Sequence, residues 1–142
     1  MAKILIVDDA AFMRIMIKET LQANGYEDLH EAADGVQAVR KYAEVKPDVV
    51  FMDMTMPNMD GIEAVRTIKA KHPEALIIMC SAMGQESMVV DAIKSGARDF
   101  IVKPFTAERI MKTLNALNIV GEKQHEEKHH EEKQHEEIHP EE

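Results

Sequence analysis

Five residues capable of chemistry each stand directly behind a short apolar run. Asp8 and Asp9 follow Ile4-Leu5-Ile6-Val7, and Asp53 follows Val49-Val50-Phe51-Met52. Ser81 follows Leu76-Ile77-Ile78-Met79-Cys80, and Lys103 follows Phe100-Ile101-Val102. Runs this short, apolar on successive residues, read as strands buried on both faces. In an open parallel sheet, functional groups gather beyond the carboxyl ends of the strands. Three carboxylates, one hydroxyl and one ammonium would therefore meet on one edge. Carboxylates that close repel one another unless a cation sits among them. A donor set of oxygens alone, without His or Cys, favours a hard ion, and Mg²⁺ is the expected cofactor. Asp8 and Asp9 could instead serve only as helix N-caps. A further acid and a Lys at matching strand ends argue against so simple a role.

Mg²⁺ beside a carboxylate nucleophile and a Lys suits phosphoryl transfer, where catalysis is mostly positioning and charge neutralisation. Asp53 can attack phosphorus and become an acyl phosphate. Asp9, with Asp8 behind it, would hold the metal. Lys103 would pair with the phosphoryl oxygens, and Ser81 would donate a hydrogen bond to one of them. No residue suggests itself as a water-activating base, so a long-lived phosphoryl group is expected. Phosphatases and mutases with an Asp nucleophile place a second Asp two residues on as general acid; Thr55 stands there. That counts against an enzyme. No GxGxxG or GxxxxGK[ST] occurs, which disfavours nucleotide binding.

The elements that must position these groups alternate along the chain. Between the apolar runs the period becomes helical. Met13, Met16, Ile17, Thr20 and Leu21 fall on one face, as do Val36, Val39 and Ala43, and later Ala107, Ile110, Met111, Leu114 and Leu117. Gly25, Gly96 and Lys46-Pro47 sit where helices should stop. A weaker, more polar strand fits Asp28 to Glu31 and reads as an edge. Strand followed by helix five times implies an α/β fold, a parallel sheet with helices on both faces.

Composition agrees with one folded domain. The chain has 142 residues, 45% of them apolar, with eleven Met and no Trp. Acids outnumber bases 26 to 17, a formal charge of −9, which disfavours a nucleic-acid partner. Residues 122–142 carry nine Glu against three Lys, so residues 1–121 are only −3. One Cys excludes an internal disulfide and fits a reducing compartment. No apolar run is long enough for a membrane span and no signal peptide is evident, so a soluble, cytoplasmic protein is expected. Residues 122–142 repeat a Glu/Lys/His pentad without an apolar face and read as a disordered acidic tail beyond a domain at 1–121. Their His125, His129, His130, His135 and His139 could seat Ni²⁺ or Zn²⁺, although such repeats are more often simply solvated. Cys80 reads as a small core residue, and His30 and His72 as isolated surface groups.

Four segments together resemble the receiver domain of two-component response regulators: IVDDAAFMR at 6–14, FMDMTMPNMDGIEA at 51–64, CSAMG at 80–84 and DFIVKPF at 99–105. Each is weak alone; four in order at the right strand ends are specific. The resemblance covers residues 1 to about 120. It implies a doubly wound, flavodoxin-like five-stranded parallel sheet of order 2-1-3-4-5. It further implies Asp53 as phosphoacceptor, Asp8 and Asp9 as metal-site acids with the Thr55 backbone carbonyl, Ser81 as switch hydroxyl and Lys103 as phosphate-binding Lys. Pro57 and Gly61 match the family pattern, and the Lys103–Pro104 bond is expected to be cis. Phe100 departs from the Tyr many members carry, so the switch ring would lack a hydroxyl.

Within that family, VDDAAFMR and CSAMGQ are most similar to stand-alone chemotaxis regulators of the CheY type. That likeness implies a phosphorylation-switched monomer that receives its phosphoryl group from a CheA-like histidine kinase and docks on a FliM-like flagellar switch protein, with a dedicated phosphatase possible. The expected partner surface is the fourth helix, fifth strand and fifth helix, here Met83, Met88, Val90 and Phe100. A phosphorelay intermediate passing the group to another histidine is the alternative within the fold. A metal-handling protein acting through the tail would explain none of residues 1–121.

Overall fold

The computed structural model describes residues 2–104 and 106–121, so the expected tail at 122–142 lies outside the described residues. Five strands, β1 (Lys3–Val7), β2 (Asp28–Ala32), β3 (Val49–Asp53), β4 (Ile77–Ser81) and β5 (Asp99–Val102), alternate with five helices. These are α1 (Ala11–Ala23), α2 (Gly35–Val45), α3 (Gly61–Lys71), α4 (Glu86–Ser95) and α5 (Ala107–Ala116). All neighbouring strands pair in parallel, in the order β2-β1-β3-β4-β5. The polar strand is indeed an edge.

Alternation along each strand builds two cores. Leu5, Val7, Val50, Met52, Ile77, Met79 and Phe100 face one side and pack with Ala38 and Tyr42 of α2, Val65 and Ile68 of α3, and Ala92 of α4. Ile4, Ile6, Val49, Phe51, Ile78, Cys80 and Ile101 face the other and meet Ile17 and Leu21 of α1 and Ile110 and Leu114 of α5. Burying such side chains contributes roughly 1.5–3 kcal/mol each, which is why the central strands are apolar along nearly their whole length.

Helix ends follow their capping residues. Asp34, Asp60 and Thr106 cap α2, α3 and α5 by accepting from Gln37, Glu63 and Arg109 backbone N–H groups. Lys46 and Gly96 end α2 and α4 in the left-handed conformation. The buried stripe of α2 differs from expectation. Ala38 and Tyr42 point inward with Val39 half-buried, whereas Val36 and Ala43 are exposed, because the helix begins at Gly35 packed under the β3–α3 loop. Met16 and Ala107 are likewise exposed.

Gly61 is required by closeness. A Cβ there would lie 2.4 Å from the Asp53 carbonyl oxygen and 2.8 Å from the Met54 Cα. The Gly61 N–H donates to the Met54 carbonyl at 2.9 Å, drawing the start of α3 onto the end of β3. Gly61→Ala is therefore expected to destabilise by roughly 1–3 kcal/mol, a melting temperature lower by about 4–10 °C in thermal denaturation. An unchanged melting temperature would show that α3 shifts without cost.

Candidate functional site

The carboxyl ends of β1, β3, β4 and β5 form one rim, and the expected residues stand on it. Asp53 and Ser81 are the last residues of β3 and β4; Asp8, Asp9 and Lys103 follow β1 and β5 directly. Asp53 lies opposite Cys80 and Ser81 opposite Val102 in the sheet register. Carboxylate oxygens of Asp8, Asp9 and Asp53 all lie within 4.8 Å of one another, the one such acidic group among the described residues. Asp8 and Asp53 are buried, while Asp9 is exposed. The strand order explains the meeting. The chain leaves β1 toward β2 on one side and returns to β3 on the other, opening a crevice between β1 and β3.

The Lys103 ammonium reaches into this acidic group. It donates to Asp8 Oδ2 at 2.6 Å and to Asp53 Oδ1 at 3.1 Å. Burial opposes its charge, yet the hydrogen bonds and charges of Asp8 and Asp53 hold Lys103 above its ordinary value. For Asp53 the balance tips the other way. Burial and then the Asp8 charge push its carboxyl up to about 6, against the opposing pull of Lys103. Three ionised carboxylates and one ammonium leave a formal −2, which a divalent cation matches.

The donor set fits Mg²⁺: oxygens only, two buried and one open to solvent. Thr55 lies exposed two residues beyond Asp53, and its carbonyl accepts no hydrogen bond among the described residues. The acids are not helix caps. The N-cap of α1 is Ala10, without a side-chain bond, and Asp8 Oδ1 instead accepts from the Ala10 N–H at 2.9 Å.

Ser81 is buried, and its Oγ accepts from the Met83 N–H at 3.2 Å. The Lys103–Pro104 bond is cis, as expected. Met83 and Val90 are exposed and Met88 half-buried, so these three are reachable by a partner. Phe100 is not: at 8% exposure its ring belongs to the core beside Val89 and Ala92, and the expectation of a surface contact is corrected for this conformation. Val102, expected to be buried, is instead exposed, because β5 is an edge strand and Val102 ends it. Ile93 is exposed too, so α4, the segment before it and the end of β5 expose Met83, Val90, Ile93 and Val102, while Phe12, Ile15, Met16 and Val36 are exposed on α1 and α2.

Residues 4–115 match the response regulator receiver domain. The chain belongs to the response regulator receiver family. Among similar receivers, Chemotaxis protein CheY of Bacillus subtilis is 62% identical over 113 residues, 80% of this chain and 94% of that one. That of Thermotoga maritima is 55% identical over 116 residues, 82% and 97% of the two chains. Among solved receivers, Vibrio cholerae CheY4 superposes with a TM-score of 0.77 at 35% identity, covering 82% of this chain and 98% of that one. A CheX-CheY-BeF3-Mg²⁺ complex from Borrelia burgdorferi also gives 0.77, at 36% identity over 81% and 88% of the chains. These relatives make this receiver a CheY-like response regulator of chemotaxis, and CheY proteins are a standard instance of the switch-point rule applied above to the strand order.

The raised Asp53 carboxyl has a measurable consequence in this receiver. Its proton is held more tightly folded than unfolded, so the associated stability is present below about pH 4 and is lost as pH rises through about 6. Asp53→Asn removes that charge. In metal-free solution near neutral pH it should stabilise the fold by roughly 1–3 kcal/mol, with the gain shrinking toward pH 4. Denaturant unfolding at several pH values measures this; a destabilised Asn variant would show that the Lys103 contact outweighs the repulsion.

Proposed function

We propose that the chain is a phosphoacceptor switch in which Asp53 takes a phosphoryl group from the phosphohistidine of a CheA-like kinase. One observation carries this reading: Asp53 ends a fully buried strand, facing two acids and bonded to Lys103. A carboxylate oxygen of Asp53 attacks phosphorus, an acyl phosphate bond forms, and the P–N bond to the imidazole breaks. Asp8, Asp9, Asp53 and the Thr55 carbonyl are the proposed Mg²⁺ ligands. When bound, the ion supplies charge neutralisation for the transferring phosphoryl oxygens. Lys103 pairs with an oxygen of the phosphoryl group on Asp53, and burial of Asp53 and Ser81 limits access by water. The role is that of a switch that handles only its own phosphorylation and its slow loss, not of an enzyme acting on other substrates.

The proposed output is docking on a FliM-like flagellar switch protein in the cytoplasm, as a monomer, with a phosphatase resetting the state. Among the described residues no helix is long and apolar enough to cross a membrane. Met83, Val90, Ile93 and Val102 offer exposed apolar surface beside the site, and Met88 lies half-buried among them. Ser81 is the proposed coupling hydroxyl. A charge-assisted bond to the phosphoryl group would draw it from the Met83 N–H, loosening the β4–α4 segment and altering the space around Phe100.

Treatment with a small acyl phosphate donor and Mg²⁺, followed by mass spectrometry, should add one phosphate to the wild-type chain and none to Asp53→Asn. Phosphate on the Asn variant would place the acceptor elsewhere. A second test separates acceptance from output. Ser81→Ala should take phosphate at a largely unchanged level yet bind a FliM-like peptide roughly tenfold more weakly than phosphorylated wild type, a loss of about 1.4 kcal/mol. Equal peptide affinity would remove Ser81 from the coupling.

A further inference from the structure

The Asp8 side chain is fixed by hydrogen bonds, but that of Asp9 is not. Asp8 accepts from Ala10 and Lys103 through its carboxylate, and its N–H donates to the Ala32 carbonyl at 3.2 Å. Asp9 is exposed, and its carboxylate accepts no hydrogen bond among the described residues. Its position therefore depends on the backbone that carries it, above all the peptide plane joining it to Asp8. One side chain holds that plane. Arg14, one turn into α1, donates from Nη1 to the Asp8 carbonyl oxygen at 2.6 Å. Its Nε donates to Glu31 Oε1 at 3.0 Å, and Glu31 also receives Lys18 Nζ at 3.0 Å. The guanidinium is largely shielded, with 18% of its side chain exposed.

We infer that Arg14, anchored on β2 by Glu31, is a positioning residue that orients the Asp8–Asp9 peptide so that the Asp9 carboxylate faces Asp53. This rests on the proposed Mg²⁺ site above. A guanidinium can hold two acceptors at once because its donors are fixed in a plane, and a charge-assisted bond to a carbonyl is stronger than a neutral one. A shorter ammonium cannot span both partners in that fork. Glu31 has a second effect: it lies against the guanidinium and offsets its charge, which would otherwise repel a cation from the acids. Positioning and charge thus predict opposite signs. Removing a bare positive charge near the acids should tighten cation binding, whereas removing an orienting contact should weaken it.

The test measures Mg²⁺ affinity by calorimetry on the full chain for wild type, Arg14→Met, Arg14→Lys, Glu31→Gln and Asp9→Ala. Thermal melting of each reports the folded fraction. Arg14→Met and Arg14→Lys should both bind Mg²⁺ roughly tenfold more weakly, and Glu31→Gln should shift in the same direction by less. With an acyl phosphate donor, the Mg²⁺ concentration for half-maximal rate should rise in the Arg14 variants while the rate at saturating Mg²⁺ recovers. A merely structural role would lower melting without moving that midpoint. Arg14→Met binding Mg²⁺ as wild type or tighter, while Asp9→Ala loses it, overturns the positioning role alone. Retained affinity in Asp9→Ala as well overturns the site reading and this inference with it.

Discussion

Like charge held close and out of water is the constraint around which the domain is arranged. Two carboxylates within 4.8 Å repel by roughly 3–4 kcal/mol at the effective dielectric of such sites. Total stability for a domain of this size is only about 5–15 kcal/mol, so the repulsion cannot stand uncompensated. Three compensations are visible. Lys103 bridges Asp8 and Asp53, the Ala10 N–H solvates Asp8, and Asp53 holds its proton to about pH 6. None removes the remaining deficit at neutral pH when all three acids ionise. The divalent cation proposed for this pocket would relieve stress the fold has already imposed.

The fold supports the stress by burying nearly everything beneath it. Every residue of β3 and β4 is buried, including Asp53 and Ser81 at their ends. The two strands are therefore rigid posts whose last residues cannot retreat into solvent. Gly61 extends the same logic to the loop beyond Asp53, where any Cβ would collide with backbone. Asn58, in the left-handed conformation, ties that loop to Asp34 at the start of α2. The loop after Asp53 is thus held by Asn58 and Gly61, and the side chains of the pocket have little room to separate.

The legible parts of the sequence were those set by burial. A strand covered on both faces must be apolar throughout, so β1, β3 and β4 announced themselves, and their end residues marked the rim. What escaped was contact between partly exposed elements. His30 and His72 looked isolated, yet His30 bonds Asp28 at 2.7 Å and His72 lies against Tyr42 with ring centres 4.9 Å apart. The α2 stripe was displaced because apolar residues at 36 and 43 satisfy a helical period without being the covered ones. Val102 and Phe100 were misplaced for a related reason: at an edge strand, composition cannot say which face is covered. Arg14 closes the IVDDAAFMR segment, but its role was not legible there, since its partner is a carbonyl oxygen that every residue possesses.

Lys103 connects the electrostatic problem to the outer surface. Its backbone N–H donates to the Ser81 carbonyl at 2.7 Å, and the preceding residue, Val102, is exposed beside the β4–α4 segment. A Cβ on Gly84 would lie 2.7 Å from Val102 Cγ2, so the segment after Ser81 already rests on the end of β5. With a phosphoryl group on Asp53, as proposed, the Lys103 ammonium gains a stronger partner than the Asp8 carboxylate it now holds at 2.6 Å. Ser81 gains an acceptor on the same group. β4, which ends in Ser81, leads into the exposed Met83, and β5, which Lys103 follows, ends in the exposed Val102. A differential stabilisation of roughly 1.4 kcal/mol between two packings of this corner changes their ratio tenfold. A phosphoryl charge on Asp53, as proposed, would therefore need no long pathway to a partner: the residues proposed to sense it end or directly follow the strands beneath the surface proposed to dock.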